Sequence, residues 1–453
     1  MTYFAAQNLT TGSVSRQLAL FAWPLVLTNL LQTLFSLMDA IFVGYFVGPD
    51  AVSAVMIGGQ SILFLLTFSL GLTAGSQILI AQFKGAGKAA KEIQTAKTVL
   101  TLALAVGIAA ALSGYFLAFP ALRLLQTPEA ALAGARQYMQ ITSLGLPFAF
   151  LYNATAGIWR GRGDAKRPLL FAALATMLHL GFGLLFVGLL SMGILGAALA
   201  TVTAQVIAAL AGAFSLYRHG GFRRSSEEAA SYWGLAKSSD ILKIGIPFGL
   251  QMGLLNLSNL FILRLVNPYG VAASAALGAG SRVTNLLVVP MMAIGNAASA
   301  IVGQNLGAGK PGRATATVRW ALVYTLTFVA VTTPLTLLFP ASLIRFFTDD
   351  PEALRIGTQY LTILAWGYAG HAIHSAIGAA VLGRGLAFYS LLSAGTEALI
   401  GRMALTWIFS SFWGLSGIFT AQTIAPYLAA ALSLIWYFTI CRQNAISVDK
   451  YHS

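Results

Sequence analysis

Long apolar segments follow one another along almost the whole chain, with short polar stretches between them. A run of about 20 predominantly apolar residues is long enough for an α-helix to cross a bilayer. The pattern therefore predicts twelve transmembrane helices, numbered here as spans one to twelve. Their predicted limits are 18–47, 52–82, 93–118, 134–158, 168–190, 193–217, 241–266, 272–304, 315–339, 356–382, 387–411 and 415–440.

The composition supports a membrane protein rather than a large soluble helical protein. Of the 453 residues, 57% are hydrophobic and only 9% are charged, whereas a soluble domain carries about 25% charged residues. Polar groups are too few to cover a surface that faces water. The 46 glycines suit helices that pack closely in lipid.

The net charge of +14 could suggest nucleic-acid binding, but the placement of the charges argues against it. If the N-terminus is cytoplasmic, 20 of the 27 Lys and Arg residues fall on the cytoplasmic side and four on the other. This is the positive-inside distribution. We therefore predict a multi-pass protein of the cell inner (plasma) membrane with both termini cytoplasmic. The N-terminus lacks a signal-peptide pattern, and the single cysteine, Cys441, excludes an internal disulfide.

The two halves of the chain resemble each other. Three segments recur at a separation of 222 or 223 residues, namely "QFKGAGK" (82–88) with "QNLGAGK" (304–310), "PEAALAGARQY" (128–138) with "PEALRIGTQY" (351–360), and "GRGD" (161–164) with "GRGL" (383–386). Several matches in one register indicate a duplication.

Each half contains six predicted spans, an even number, so both halves enter the membrane in the same orientation. We predict an all-α membrane protein in which two parallel six-helix repeats face a central cleft. The predicted domains are 1–217 and 241–453, joined by a cytoplasmic linker at 218–240. Two similar bundles suit an alternating-access transporter, whereas a single-pore channel does not need them.

The repeated "GAGK" does not form a phosphate-binding loop. Such a loop needs GxxxxGK followed by Ser or Thr, between a strand and a helix. Here Gln82 stands at the first glycine position and Ala89 follows Lys88. We expect no nucleotide and no cofactor, so that an ion gradient supplies the energy. We also expect no enzymatic activity, because no catalytic or metal-binding constellation is recognisable.

Two acidic residues lie well inside predicted spans, Asp39 and Glu397. Ionisable groups at membrane depth are functional candidates by default. No Lys or Arg lies within twenty residues of Asp39, although a buried charge needs a partner. Asn29, Gln32 and Ser36 precede Asp39 at helical spacing and share its face of span one. This stripe is expected to line a substrate cavity, and a structural seam between helices is the alternative.

Glu397 differs because Arg402 follows it five residues later. We predict a structural ion pair between them, with a transport role for Glu397 as the alternative. His371 and His374 lie three residues apart on span ten and are expected to line a cavity or to pack in the core. No acid or cysteine near them would complete a tetrahedral site, so we expect no metal.

Several motifs together resemble the multidrug and toxic compound extrusion (MATE) family over essentially the whole chain. They are "MDAIFVGYFVG" (38–48), "GIWRGRGDAKRPLL" (157–170), "GILGAALATVTAQ" (193–205) and "GLQMGLLNLSNLFILRLVN" (249–267). The resemblance implies export of organic cations and other amphipathic compounds in exchange for protons or sodium ions. It implies small-molecule substrates, contact with the lipid bilayer and no nucleic-acid partner, and we expect a monomer.

The resemblance also implies site residues. Asp39 matches the family's aspartate of span one, which binds the coupling ion. The family's Asn and Asp of span five fall at His179 and Gly183, and the threonine of the span-six motif is Thr201. Asp39, His179 and Thr201 are therefore the candidate residues for binding the coupling ion.

A second cation site, present in one branch of the family, is not matched here. Its positions read Leu255 and His371, and span seven instead offers Gln251, Asn256 and Asn259 as candidate cavity residues. These departures favour H⁺ over Na⁺ as the coupling ion.

A flippase for a lipid-linked saccharide is the alternative function, because such proteins share the two-bundle architecture. A pyrophosphate would need several cationic cavity residues. Three arginines fall inside the C-terminal spans, Arg264, Arg282 and Arg402. If they line the cleft the flippase gains support, and if they pair with Glu397 it loses support.

Overall fold

The computed structural model describes residues 8–219 and 238–441, so most of the predicted linker lies outside the described residues. In the first half of the chain the α-helices are α1 (Val14–Phe46), α2 (Pro49–Gly85), α3 (Ala89–Phe116), α4 (Ala118–Leu124), α5 (Glu129–Leu144), α6 (Leu146–Gly161), α7 (Lys166–Gly183) and α8 (Gly193–His219). A π-helical turn, Leu184–Leu189, continues α7.

The second half contains α9 (Ser238–Val266), α10 (Val271–Gly307), α11 (Pro311–Leu338), α12 (Pro340–Arg345), α13 (Pro351–Leu364), α14 (Tyr368–Gly383), α15 (Ala387–Gly395) and α16 (Leu405–Trp436). Short 3₁₀ segments lie at Asn267–Tyr269 and Ala365–Gly367. π-Helical segments lie at Thr396–Ala404, between α15 and α16, and at Tyr437–Cys441. Helices therefore dominate both described ranges.

The helices account for the twelve predicted spans. Over the described residues, nine helical segments are individually long and apolar enough to cross a membrane, and the pair α5 and α6, bent by 50°, makes ten. The segment 387–439 contains two spans, because Gly414 (φ 56°, ψ −133°) breaks α16. Span ten is built from α13, the 3₁₀ turn and α14. The protein is thus a multi-pass membrane protein.

The duplication is visible in the backbone itself. Gly87 and Gly309, in the two "GAGK" segments, have φ of 70° and 67°. Gly163 and Gly385, in the two "GRG" segments, have φ of 82° and 79°. A left-handed residue after a helix end favours glycine, because other side chains are strained there. The repeated glycines therefore end equivalent helices in the same way.

The described chain divides into two compact units. Unit 1 contains 27–249 and unit 2 contains 8–26 together with 250–441. Both α1 and α9 are therefore continuous helices whose two ends belong to different units. The predicted domain limits, at 217 and 241, differ from this division because packing assigns the first turns of each of these helices to the other unit.

Small residues let the helices of each unit approach closely. In unit 1, a Cβ added at Gly157 would lie 2.8 Å from the carbonyl oxygen of Thr73 and would also overlap Ser76. In unit 2, a Cβ at Gly383 would lie 2.8 Å from the carbonyl oxygen of Ser299. Close approach through glycine is a common way to pack helices in lipid, where association gains little from the hydrophobic effect.

We expect Gly157→Val to destabilise the protein, because the new side chain must push α6 away from α2. Overpacking of this kind typically costs about 1–3 kcal/mol. Thermal unfolding in detergent should show a lower melting temperature. Gly181→Ala is the control, since nothing lies within 4 Å of a Cβ there. Equal melting temperatures for Gly157→Val and the parent protein would contradict the close packing.

Candidate functional site

Asp39 lies on α1 within unit 1 and is 6% exposed. Three side chains from three other helices contact its carboxylate. The hydroxyls of Tyr138 (α5) and Thr201 (α8) each donate to Oδ2, at 2.6 Å in both cases. Nε2 of His179 (α7) lies 2.8 Å from Oδ1. The buried acid is therefore held by hydrogen bonds rather than by a lysine or arginine.

The His179 ring is fully buried and connects two members of this group. Its Nε2 also lies 3.1 Å from the Thr201 hydroxyl oxygen. The ring centroid lies 4.2 Å from that of Phe35 and 6.3 Å from that of Phe42. We call Asp39, Tyr138, His179 and Thr201 the Asp39 network.

Gly183, one helical turn after His179, makes room for an aromatic ring. A Cβ at this position would overlap the ring of Phe42, which belongs to the core around α1 and α8. A carboxylate side chain at Gly183 would need the same space. The absence of the family's span-five aspartate is thus coupled to the packing of Phe42.

The predicted stripe on span one is only partly buried. Asp39 is buried, whereas Gln32 and Ser36 are exposed and Asn29 is half-buried. Ser36 uses its hydroxyl locally, donating to the Thr33 carbonyl at 2.8 Å. These three residues lie in unit 1 on the same helix as Asp39 but outside its hydrogen-bonded network.

The candidate residues of the C-terminal half lie in unit 2. On α9, Asn256 and Asn259 are exposed, and Gln251 is buried with no hydrogen-bond partner for Oε1 among the described residues. On α14, His374 Nδ1 lies 3.0 Å from the Ser433 hydroxyl. His371 is half-buried and interacts electrostatically with Glu397.

The predicted ion pair between Glu397 and Arg402 is absent from the described structure. Arg402 instead donates from Nη2 to Oδ1 of Asn259 at 2.5 Å. Glu397 is 4% exposed and makes no hydrogen bond within the described ranges. The prediction was wrong because Arg402 is directed at Asn259 on α9, although both residues lie in the π-helical segment Thr396–Ala404, where positions five apart are close.

Tyr138 is the site residue that the sequence analysis missed. It lies 99 residues from Asp39 and inside an otherwise ordinary apolar span. A usable signal was its place in the repeat, since "RQY" at 136–138 corresponds to "TQY" at 358–360. The described residues contain no group of three or more His, Cys, Asp or Glu side chains that could hold a metal ion.

A duplicated set of membrane-spanning helices with a buried, hydrogen-bonded acid in its first span is the arrangement to compare with known membrane transporters. The MatE family profile matches residues 24–185 and 247–408, one match in each half. The chain therefore belongs to the MATE family, whose members are transporters that act on small molecules.

Relatives and solved structures agree with this assignment. The chain is 32% identical to the probable multidrug resistance protein YpnP of Bacillus subtilis over 434 residues, covering 95% of this chain and 96% of the relative. It is 28% identical to an FAD transporter of Shewanella oneidensis, with 74% of each chain covered. The fold resembles that of a mutant of the Vibrio cholerae MATE transporter VcmN, with a TM-score of 0.90, 23% identity and coverage of 99% and 100%.

We expect Glu397→Gln to leave the melting temperature unchanged or to raise it, because no partner charge is stranded when the carboxylate is removed. A buried carboxylate without a hydrogen bond or ion pair is itself unfavourable, so its loss costs little. Thermal unfolding of the purified protein measures this, with Glu352→Gln, at an exposed acid paired with Arg355, as the control. A loss of about 3 kcal/mol or more, as for a broken buried pair, would contradict the structure.

Proposed function

We propose that this protein is a secondary-active antiporter that exports multiple drugs, chiefly organic cations and amphipathic compounds, by alternating access. The inward proton gradient drives the export. This proposal rests on the Asp39 network, because Asp39 is a buried acid on a membrane-spanning helix. The printed name of the Bacillus relative, a probable multidrug resistance protein, supports the substrate class.

The chemistry of the Asp39 network favours a proton over sodium. Hard cations such as Na⁺ need several oxygen ligands with free lone pairs. Besides the Asp39 carboxylate, the network offers only two hydroxyl oxygens, on Tyr138 and Thr201, and its third neighbour is an imidazole nitrogen. Phe42 fills the space beside Gly183 where a second carboxylate would stand. A proton needs only the titratable groups already present.

Polar residues outside the Asp39 network are candidates for contact with the substrate. In unit 1 these are Asn29, Gln32 and Ser36 on α1. In unit 2 they are Gln251, Asn256 and Asn259 on α9 and His371 and His374 on α14. Their amide, hydroxyl and imidazole groups suit the polar parts of amphipathic compounds of varied shape.

We further infer an inner-membrane protein with both termini cytoplasmic, acting as a monomer without a cofactor. The positive-inside distribution of Lys and Arg supports this orientation. The flippase alternative receives no support from the comparisons. Arg402 is hydrogen-bonded to Asn259 and Arg282 lies 5.9 Å from the Phe347 ring centroid, so two of the three arginines have local partners.

Asp39→Asn is expected to insert and fold normally but to abolish coupled efflux, because the amide lacks the negative charge that proton uptake in the Asp39 network needs. Cells that express the variant should lose resistance to the drugs that the parent protein exports. Expression and melting temperature serve as controls for folding. Full drug resistance with Asp39→Asn would remove Asp39 from the mechanism.

The coupling ion is tested with purified protein in liposomes loaded with a fluorescent organic cation. We expect an imposed pH gradient without sodium to drive transport, and a sodium gradient at equal pH to drive none. Protein-free liposomes and the Asp39→Asn variant supply the background. Transport by the sodium gradient alone would overturn proton coupling.

A further inference from the structure

The two ring nitrogens of His179 have different surroundings. Nε2 lies 2.8 Å from Asp39 Oδ1 and 3.1 Å from Thr201 Oγ1. Nδ1 is buried and has no hydrogen-bond partner among the described residues. The hydrogen-bonding pattern of the neighbours decides which nitrogen carries the proton.

We take Asp39 as ionised, so that its Oδ2 accepts the single hydroxyl proton of Thr201. The Thr201 oxygen can therefore only accept from His179, so Nε2 must be the donor. Asp39 Oδ1 accepts from the same N–H. In this arrangement the imidazole is neutral with its proton on Nε2, Asp39 is ionised, and Nδ1 carries a free lone pair.

An additional proton has two open acceptor positions in this network, a remaining lone pair on Asp39 Oδ1 and Nδ1 of His179. Oδ2 of Asp39 already accepts from Tyr138 and Thr201, both at 2.6 Å. Oδ1 accepts from Nε2 at 2.8 Å and keeps one lone pair, but an imidazole nitrogen is intrinsically a stronger base than a carboxylate oxygen. The new N–H bond therefore forms at Nδ1 of His179, and the net charge of the Asp39–His179 pair changes from −1 to 0.

We propose that Nδ1 of His179 is the atom that takes up the coupling proton, and that Asp39 positions the ring and compensates its charge. This inference rests on the proton coupling proposed above. It assigns to His179 the acceptor role that the resemblance assigns to the carboxylate.

The same geometry suggests how uptake changes the conformation. A protonated Nδ1 is a buried donor with no acceptor in the described structure, beside the Phe35 ring. Such a donor is unfavourable until the packing changes or water reaches it. Two titratable groups surround the ring: Asp39 on α1 contacts His179 directly, and Tyr138 on α5 contacts Asp39. The neighbour from α8 is Thr201, which carries no charge.

His179→Gln separates the two roles of the ring. The glutamine amide nitrogen can replace Nε2 as donor to Asp39 and Thr201, but the side chain has no basic atom in place of Nδ1. We expect the variant to fold and to bind a fluorescent organic cation, but to lose efflux driven by a pH gradient in liposomes. His219→Gln, at the exposed end of α8, is the matched control and should keep efflux.

His179→Gln with parent-like efflux and an unchanged pH dependence would overturn the assignment, because a donor at Nε2 would then suffice. Absence of pH-driven efflux in the parent protein would instead refute proton coupling itself, and this inference with it.

A second measurement does not depend on the variant's folding. In full-length protein with ¹⁵N-labelled histidine, the Nδ1 signal of His179 should change from the unprotonated to the protonated form as pH falls through the range that activates efflux. The chain has five histidines, and the spectrum of His179→Gln identifies this one. An Nδ1 that stays unprotonated while efflux proceeds would place the proton on Asp39.

Discussion

One buried carboxylate constrains the packing of half the molecule. A charge at membrane depth is tolerated only when hydrogen bonds replace its lost hydration. Asp39 obtains three of them, from side chains on α5, α7 and α8. The interactions that make the charge tolerable are therefore the ones that hold four helices of unit 1 together. Any change in the protonation of this network must also change how those helices pack.

The duplicated backbone does not carry duplicated chemistry. Tyr138 has its repeat counterpart in Tyr360, which is also buried. The position 222 residues after Asp39 is Phe261, and Tyr360 has Ser281 and Thr284 as hydroxyl neighbours instead of an acid. Equivalent glycines and helix ends preserve the architecture in both units, while the acid that contacts this tyrosine, Asp39, belongs to unit 1. The repeat therefore explains the fold, and individual substitutions within it explain the division of roles.

Features set by local or periodic patterns could be predicted from the sequence. Apolar length predicts the spans, repeated motifs predict the duplication, and an isolated acid in an apolar run marks Asp39. Family resemblance adds His179 and Thr201, whose contact with Asp39 the structure contains. Features that depend on packing between distant helices could not be predicted. Tyr138 reaches Asp39 across 99 residues, and Arg402 turns to Asn259 on another helix rather than to an acid in its own segment.

In our proposal, the ion preference of the Asp39 network follows from packing as much as from the ligands themselves. A carboxylate at Gly183 would add oxygen ligands beside Asp39, but the Phe42 ring occupies that space. Moving Phe42 would disturb its contacts with the core around α1 and α8 and would remove its ring contact with His179. Replacing His179 by an amide would then be needed to provide a further oxygen. In our proposal Phe42, His179 and Gly183 act together, so a change of coupling ion requires coordinated substitutions rather than one new carboxylate.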